Sequence, residues 1–131
     1  MKLICIGDSL TFGYGVHLSQ RWTRLCAQET GWELVNEGIN GDTTGGMLAR
    51  MQGGVLAELR EGGLGADRPY ALLMGGSNDV FYSGSDAAAR ENMGAMIHQL
   101  FSVGVLPVVG IPLPADAPHA PRAILKRRSG R

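Results

Sequence analysis

The sequence predicts an α/β fold, a doubly wound parallel sheet with helices against both faces, on three observations. Short apolar runs alternate along the chain with segments of helical period. The runs are nearly continuously apolar, as strands buried on both faces are, instead of alternating apolar with polar residues. Polar, glycine-rich corners follow the first three runs, at Gly7-Asp8-Ser9, Asn40-Gly41-Asp42-Thr43 and Gly75-Gly76-Ser77-Asn78-Asp79.

Four runs read as strands. They are Leu3 to Ile6, Glu33 to Asn36 with its flanks, Tyr70 to Met74, and the valine-rich Leu106 to Ile111, with prolines at 107 and 112. Between the first two, Trp22, Leu25, Cys26 and Glu29 fall at helical spacing with one apolar face, and Gly31 is placed to end that helix. Leu48, Met51, Val55 and Leu59 predict a second helix, weakened by Gly53 and Gly54 at up to about 1 kcal/mol each relative to alanine. Ala89, Met93, Met96, Ile97, Leu100 and Phe101 give the clearest amphipathic face, begun near Ser85 or Asp86 and closed by Gly104. Met93 and Met96 are core filler on this pattern, and His98 falls on the polar face. The order is β-α-β-α-β-α-β followed by a short irregular end. Right-handed crossovers then place any site at the carboxyl ends of the strands.

A chain of 131 residues is enough for one domain with its own core. Residues 1–115 are expected to form that domain and residues 116–131 an irregular basic tail. The apolar share of 44% and charged share of 18% are those of an ordinary globular chain, not of a disordered or membrane one. No apolar run reaches the roughly 18 residues of a membrane span. The start, "MKLICIGDSL", runs into a polar corner where a signal peptide would have a small-residue cleavage site, so a cytoplasmic chain is expected. Cys5 and Cys26 read as free thiols, since two cysteines make no disulfide framework in such a chain. The net charge is zero but unevenly spread. Arg122, Lys126, Arg127, Arg128 and Arg131 put five positive charges in the last ten residues, leaving seven basic and twelve acidic residues in the first 121. A basic tail without interleaved aromatics on an acidic body is a solvated segment, so no nucleic-acid partner is expected. No group of His, Cys and acid residues has metal-ligand spacing, and no cofactor is expected.

Taken singly, each polar corner is ordinary turn or cap chemistry. The first lacks the Gly-Lys-Ser/Thr ending of a P-loop, and Gly7, Gly13 and Gly15 miss the dinucleotide-fold spacing. A flavin- or nucleotide-binding module stays open as an alternative. Together and in this order, the three corners resemble the SGNH, or GDSL, hydrolase superfamily of esterases, lipases and thioesterases. Gly7-Asp8-Ser9 stands as its nucleophile block, Asn40-Gly41-Asp42-Thr43 as its glycine block and Gly76-Ser77-Asn78-Asp79 as its Gly-x-Asn-Asp block. "NGDTTGGMLARM" and "LLMGGSND" look most like the bacterial branch of lysophospholipases, thioesterases and arylesterases. The likeness covers residues 2 to 113 and implies a flavodoxin-like three-layer sandwich with strands in the order 2-1-3-4.

It also implies hydrolysis of small carboxylic esters or thioesters through a Ser9 acyl-enzyme. The oxyanion hole would comprise the backbone N–H groups of Ser9 and Gly41 and the side-chain amide of Asn78. Ser9 at a strand-to-helix corner would be exposed and close to a helix amino terminus. Asp8 and Asp79 are expected to be structural, bonding loop amides.

A serine nucleophile needs a histidine and usually an acid. The family's fourth block, Asp-x-x-His, follows a further helix and strand, and that region is missing here, which predicts a chain shortened at its carboxyl end. Asp116-Ala117-Pro118-His119 spells the motif immediately after the fourth strand, and His17 follows the nucleophile corner. The alternative is a remnant that keeps the fold and the oxyanion pocket without a base. A bare edge on the fourth strand predicts pairing with another copy of the chain.

Overall fold

The computed structural model describes residues 1–61 and 69–112. The described strands are β1 (Lys2–Gly7), β2 (Glu33–Gly38), β3 (Tyr70–Met74) and β4 (Leu106–Val109). They form one parallel sheet in the order β2-β1-β3-β4, as expected. The helices are α1 (Ser9–Phe12), α2 (Trp22–Thr30), α3 (Thr44–Ala49), α4 (Leu56–Glu61), α5 (Ser77–Ser83) and α6 (Ala87–Ser102).

β1 is central. Cys5 stands opposite Asn36 on one side and Leu72 on the other, and Gly7 stands opposite Gly38 and Met74. The chain steps from β1 outward to β2 and then back across to β3, so the strand order reverses at β1. That reversal opens a crevice at the carboxyl ends of β1 and β3.

Register puts Ile4, Ile6, Ala71 and Leu73 on one face. They form the core with Met47, Met51, Val55, Leu56, Met96, Leu100 and Val105. Met96 is fully buried and Met93 packs against this cluster, so both methionines fill the core as expected. On the opposite face, α1 and α2 cover β1 and β2. Beyond them, Met1, Leu3, Trp32, Tyr70, Leu72 and Val108 line an open apolar hollow of about 400 Å³. β4 is an edge strand among the described residues, which is where Pro107 fits without breaking a central ladder. It ends at Val109, two residues short of the expected Ile111, and Ile111 is 81% exposed.

Three helix expectations need correction. The predicted second helix is broken into α3, a π-helical stretch at Met51–Val55, and α4. The break coincides with Gly53 and Gly54, which favour no helix, while Met51 and Val55 still reach the core. On α2 the inward face is Thr23, Cys26 and Ala27, and Leu25 is exposed. The helix lies over β2, where Asn36 Nδ2 donates to Thr23 Oγ1 at 3.2 Å and turns the threonine inward. On α6, Ala89, Met96 and Leu100 are buried, but Phe101 stands one residue off that stripe and is exposed. Residues 116–131, expected to be a basic tail, lie outside the described residues, as do Asp116 and His119.

Candidate active site

Ser9 opens α1, a single turn too short to persist on its own propensity. Side chains from outside the turn hold it. Asp8 caps it, its Oδ1 accepting the Leu10 N–H at 2.9 Å. Trp22 Nε1 donates to the carbonyls of Leu10 and Thr11 at 3.2 Å, and Asn36 Nδ2 donates to the Thr11 carbonyl at 2.8 Å. Seating this turn against β2 requires Gly38, where a Cβ would stand 2.7 Å from Phe12 Cα and 2.9 Å from the Asp8 carbonyl. Because α1 is one turn, individual N–H groups matter here more than a helix dipole.

The second corner is a tight turn, Ile39 to Asp42, closed by the Asp42 N–H donating to the Ile39 carbonyl at 3.1 Å. Gly41 has φ +76°, the left-handed conformation that glycine adopts without strain. The Ile39 N–H donates to the Gly7 carbonyl at 3.1 Å, which joins this turn to the end of β1.

The third corner opens α5. Asn78 Nδ2 donates to the Asp42 carbonyl at 2.8 Å, joining this loop to the Gly41 turn. Asp79 is 6% exposed, and its two carboxylate oxygens accept the Thr44 N–H at 2.8 Å and the Thr44 hydroxyl at 2.6 Å. Asn92 on α6 donates to the same hydroxyl oxygen at 3.1 Å. Asp8 and Asp79 each hold a backbone amide, as structural acids do, but the amides belong to the first turns of α1 and α3 and not to loops. Beside this corner is an open cavity of about 480 Å³ whose lining includes Gly75, Ser77, Val80, Met93 and Ile111.

The fold therefore brings Ser9, Gly41 and Asn78 onto three loops hydrogen-bonded to one another. Neither the Ser9 N–H nor the Gly41 N–H donates a hydrogen bond among the described residues, and Asn78 Nδ2 has a second proton beyond the one given to Asp42. Such donors are the kind that stabilise an oxygen gaining negative charge. His17 is engaged elsewhere, since its Nδ1 accepts the Ser19 N–H at 3.3 Å and lies 2.7 Å from Ser19 Oγ, capping a short 3₁₀ turn. His98 is exposed on α6.

Arg50 lies outside the three motifs that mark the corners in the sequence. Its Nε donates to Asp42 Oδ2 at 3.0 Å, and its terminal nitrogens donate to the carbonyls of Glu37 at 2.6 Å and Gly7 at 2.9 Å. The available signal was a charge set between Leu48 and Met51, inside an apolar stripe. Nearby, the Glu37 carboxyl is pushed up, first by burial, then by a hydrogen bond and like charge from Glu58, against the opposing pull of Arg50. Burial, with a smaller effect of Cys26, pushes the Cys5 thiol up to about 12. Among the described residues no group of three or more His, Cys, Asp and Glu could hold a metal ion. No helix among them is long and apolar enough to cross a membrane.

A doubly wound parallel sheet with a serine corner at its reversal point and amide donors on the flanking corners defines the class of flavodoxin-like three-layer α/β sandwiches. Residues 5–130 match the sequence profile of the GDSL-like lipase/acylhydrolase family, and the chain belongs to that family, within the SGNH/GDSL hydrolase superfamily. It is 30% identical over 129 residues to esterase TesA of Pseudomonas aeruginosa. That match covers 93% of this chain but only 59% of the relative, so the chain spans well under two thirds of the relative's length. A protein of the lipolytic G-D-S-L family from Desulfitobacterium hafniense DCB-2 superposes with a TM-score of 0.80 at 25% identity, covering 98% of this chain and 68% of the other. A crystal structure of TesA superposes with a TM-score of 0.77 at 28% identity, covering 99% and 71%.

Proposed function

We propose that the chain hydrolyses small carboxylic esters through a covalent Ser9 acyl-enzyme. The observation that carries this reading is a set of donors on three hydrogen-bonded corners that are left unused among the described residues: the Ser9 N–H, the Gly41 N–H and the second Asn78 amide proton. In this reading Ser9 Oγ attacks the ester carbonyl, and the three donors hold the oxygen that becomes negative. The C–O bond to the alcohol then breaks, the alcohol leaves with a proton, and water cleaves the acyl-enzyme. A thioester presents the same electrophilic carbonyl and is taken by the same route. Ser9 needs a base to take its proton, and the chain offers His119 of Asp116-Ala117-Pro118-His119 for that role. Support comes from family membership and from the P. aeruginosa relative, an esterase by name. The free thiols of Cys5 and Cys26 suit a reducing compartment, and the cytoplasm is the location proposed.

The test is hydrolysis of a short-chain p-nitrophenyl ester by the 131-residue chain and its Ser9→Ala, Asn78→Ala and His119→Ala variants. Ser9→Ala should abolish turnover, and Asn78→Ala should lower kcat by about 10² to 10³. Parental turnover in Ser9→Ala refutes the acyl-enzyme, and parental turnover in His119→Ala removes His119 as the base.

A further inference from the structure

We propose that Arg50 is a positioning residue for acyl transfer, holding the Gly41 turn and the Asn78 amide in register with the Ser9 corner. The proposal rests on the ester-hydrolase reading above. Its observation is the three-way bond of one guanidinium to the ends of β1 and β2 and to the Gly41 turn. One terminal nitrogen holds the Gly7 carbonyl, two residues before Ser9. The other holds the Glu37 carbonyl at the end of β2, and Nε holds the Asp42 carboxylate beside Gly41.

Asp42 extends the linkage. Its Oδ1 accepts the Thr43 N–H at 3.0 Å, and its carbonyl accepts Asn78 Nδ2 at 2.8 Å. A continuous path therefore runs from Gly7 through Arg50 and Asp42 to Asn78. The Arg50 and Asp42 side chains are 20% and 14% exposed, so water competes weakly for the pair.

The chemistry calls for arginine. A planar, permanently charged fork can meet three acceptors in fixed directions, whereas a lysine ammonium is a single point on a flexible stem. The backbone around Arg50 is also arranged for the task. Its carbonyl accepts Gly54 N–H at 3.1 Å and Val55 N–H at 3.4 Å where α3 passes into the π-helical stretch, a local widening that often marks functional positions. Among the described residues the Arg50 side chain bonds only two strand-end carbonyls and the Asp42 carboxylate, so Arg50 acts through other groups. Its loss should misplace donors needed in the transition state while leaving substrate binding largely intact.

Arg50→Ala and Arg50→Lys in the full chain test this. With a short-chain p-nitrophenyl ester, Arg50→Ala should lower kcat about a hundredfold, the penalty of a misplacement of about 1 Å. KM should stay within about twofold, and non-denaturing guanidinium chloride should restore part of the rate. Arg50→Lys should fall between, about tenfold down. Amide hydrogen exchange supplies a readout independent of turnover. The Ile39 and Asp42 N–H groups, which close the Gly41 turn onto β1, should exchange at least about tenfold faster in both variants, with Ile4 and Leu73 unchanged.

An unchanged kcat, a loss confined to KM, or unchanged exchange at Ile39 and Asp42 overturns the proposal. If the parent shows no Ser9-dependent turnover, the ester-hydrolase reading fails and the exchange comparison still decides the role of Arg50. If Arg50→Ala does not fold, Arg50→Lys carries both measurements, and parental values in it overturn the proposal.

Discussion

Removing the Asp79 carboxylate should be among the most destabilising single changes near the site. Asp79 accepts two hydrogen bonds from Thr44, at 2.8 and 2.6 Å, and Thr44 is fully buried. A hydrogen bond to a charged group contributes about 1.5 to 3 kcal/mol, and a buried donor left unpaired adds its own penalty. Asp79→Ala should therefore lose about 3 to 5 kcal/mol, a fall in Tm on the order of 10 to 20 °C for a domain of this size. Thr44→Val removes only the hydroxyl and leaves the backbone amide on the carboxylate, so it should lose about half as much. The two changes share the 2.6 Å bond, and the double mutant should recover about 1.5 to 2.5 kcal/mol relative to the sum of the singles. Urea unfolding followed by circular dichroism measures all four proteins. A loss below about 1 kcal/mol in Asp79→Ala, or additivity within about 0.5 kcal/mol, would refute the reasoning.

Gly38→Ala drives a Cβ against the Phe12 and Asp8 backbones, so it should cost about 1 to 3 kcal/mol and displace the Ser9 turn; a change within about 0.5 kcal/mol in urea unfolding counts against it. Cys5 should resist thiol reagents near about pH 8 until the chain unfolds, because burial disfavours its thiolate. The same raised value adds stability that is present below the ordinary thiol pKa of 9.0 and is lost as pH rises from there toward about 12. Comparison with Cys5→Ala across that range checks the sign, and parallel stability curves would contradict it. Glu37, raised above its ordinary 4.5 by burial and by Glu58, likewise contributes stability that is lost as pH rises above that value. Glu58→Gln removes the like charge and should flatten this fall, as read by melts from acid to neutral pH.

The sheet was legible because its strands announce themselves locally. The run Tyr70 to Met74 marks β3 at its observed bounds, since an unbroken apolar run is what a strand covered on both faces requires. The α6 face was legible through Leu100 for the same reason, its period being a property of neighbouring residues. What escaped was set by distant partners. α1 exists because Trp22 and Asn36 bond its carbonyls, and Thr44 is buried because Asp79 waits for it across 35 positions. Leu25 is exposed, against its apolar spacing, because a polar side chain, Asn36, decides which face of α2 turns inward. The three corners of the site could be named from sequence, but the guanidinium that ties them together could be seen only once Gly7, Glu37 and Asp42 were brought side by side.

The placement of β1 between strands from far along the chain sets an order of assembly. Ser9 and Gly41 can meet once β2 docks, when the chain has formed only to Gly38 and its turn. Asn78 cannot reach the Asp42 carbonyl until β3 pairs with β1, joining Leu3 to Tyr70 over a loop about twice as long. Doubling a loop costs only about 0.6 kcal/mol of closure entropy, yet such distant contacts are slow to find. Any reactivity of Ser9 that depends on Asn78 is thus a clock for the late step of sheet assembly: an emerging chain carries Ser9 long before Asn78 is joined to the Gly41 turn.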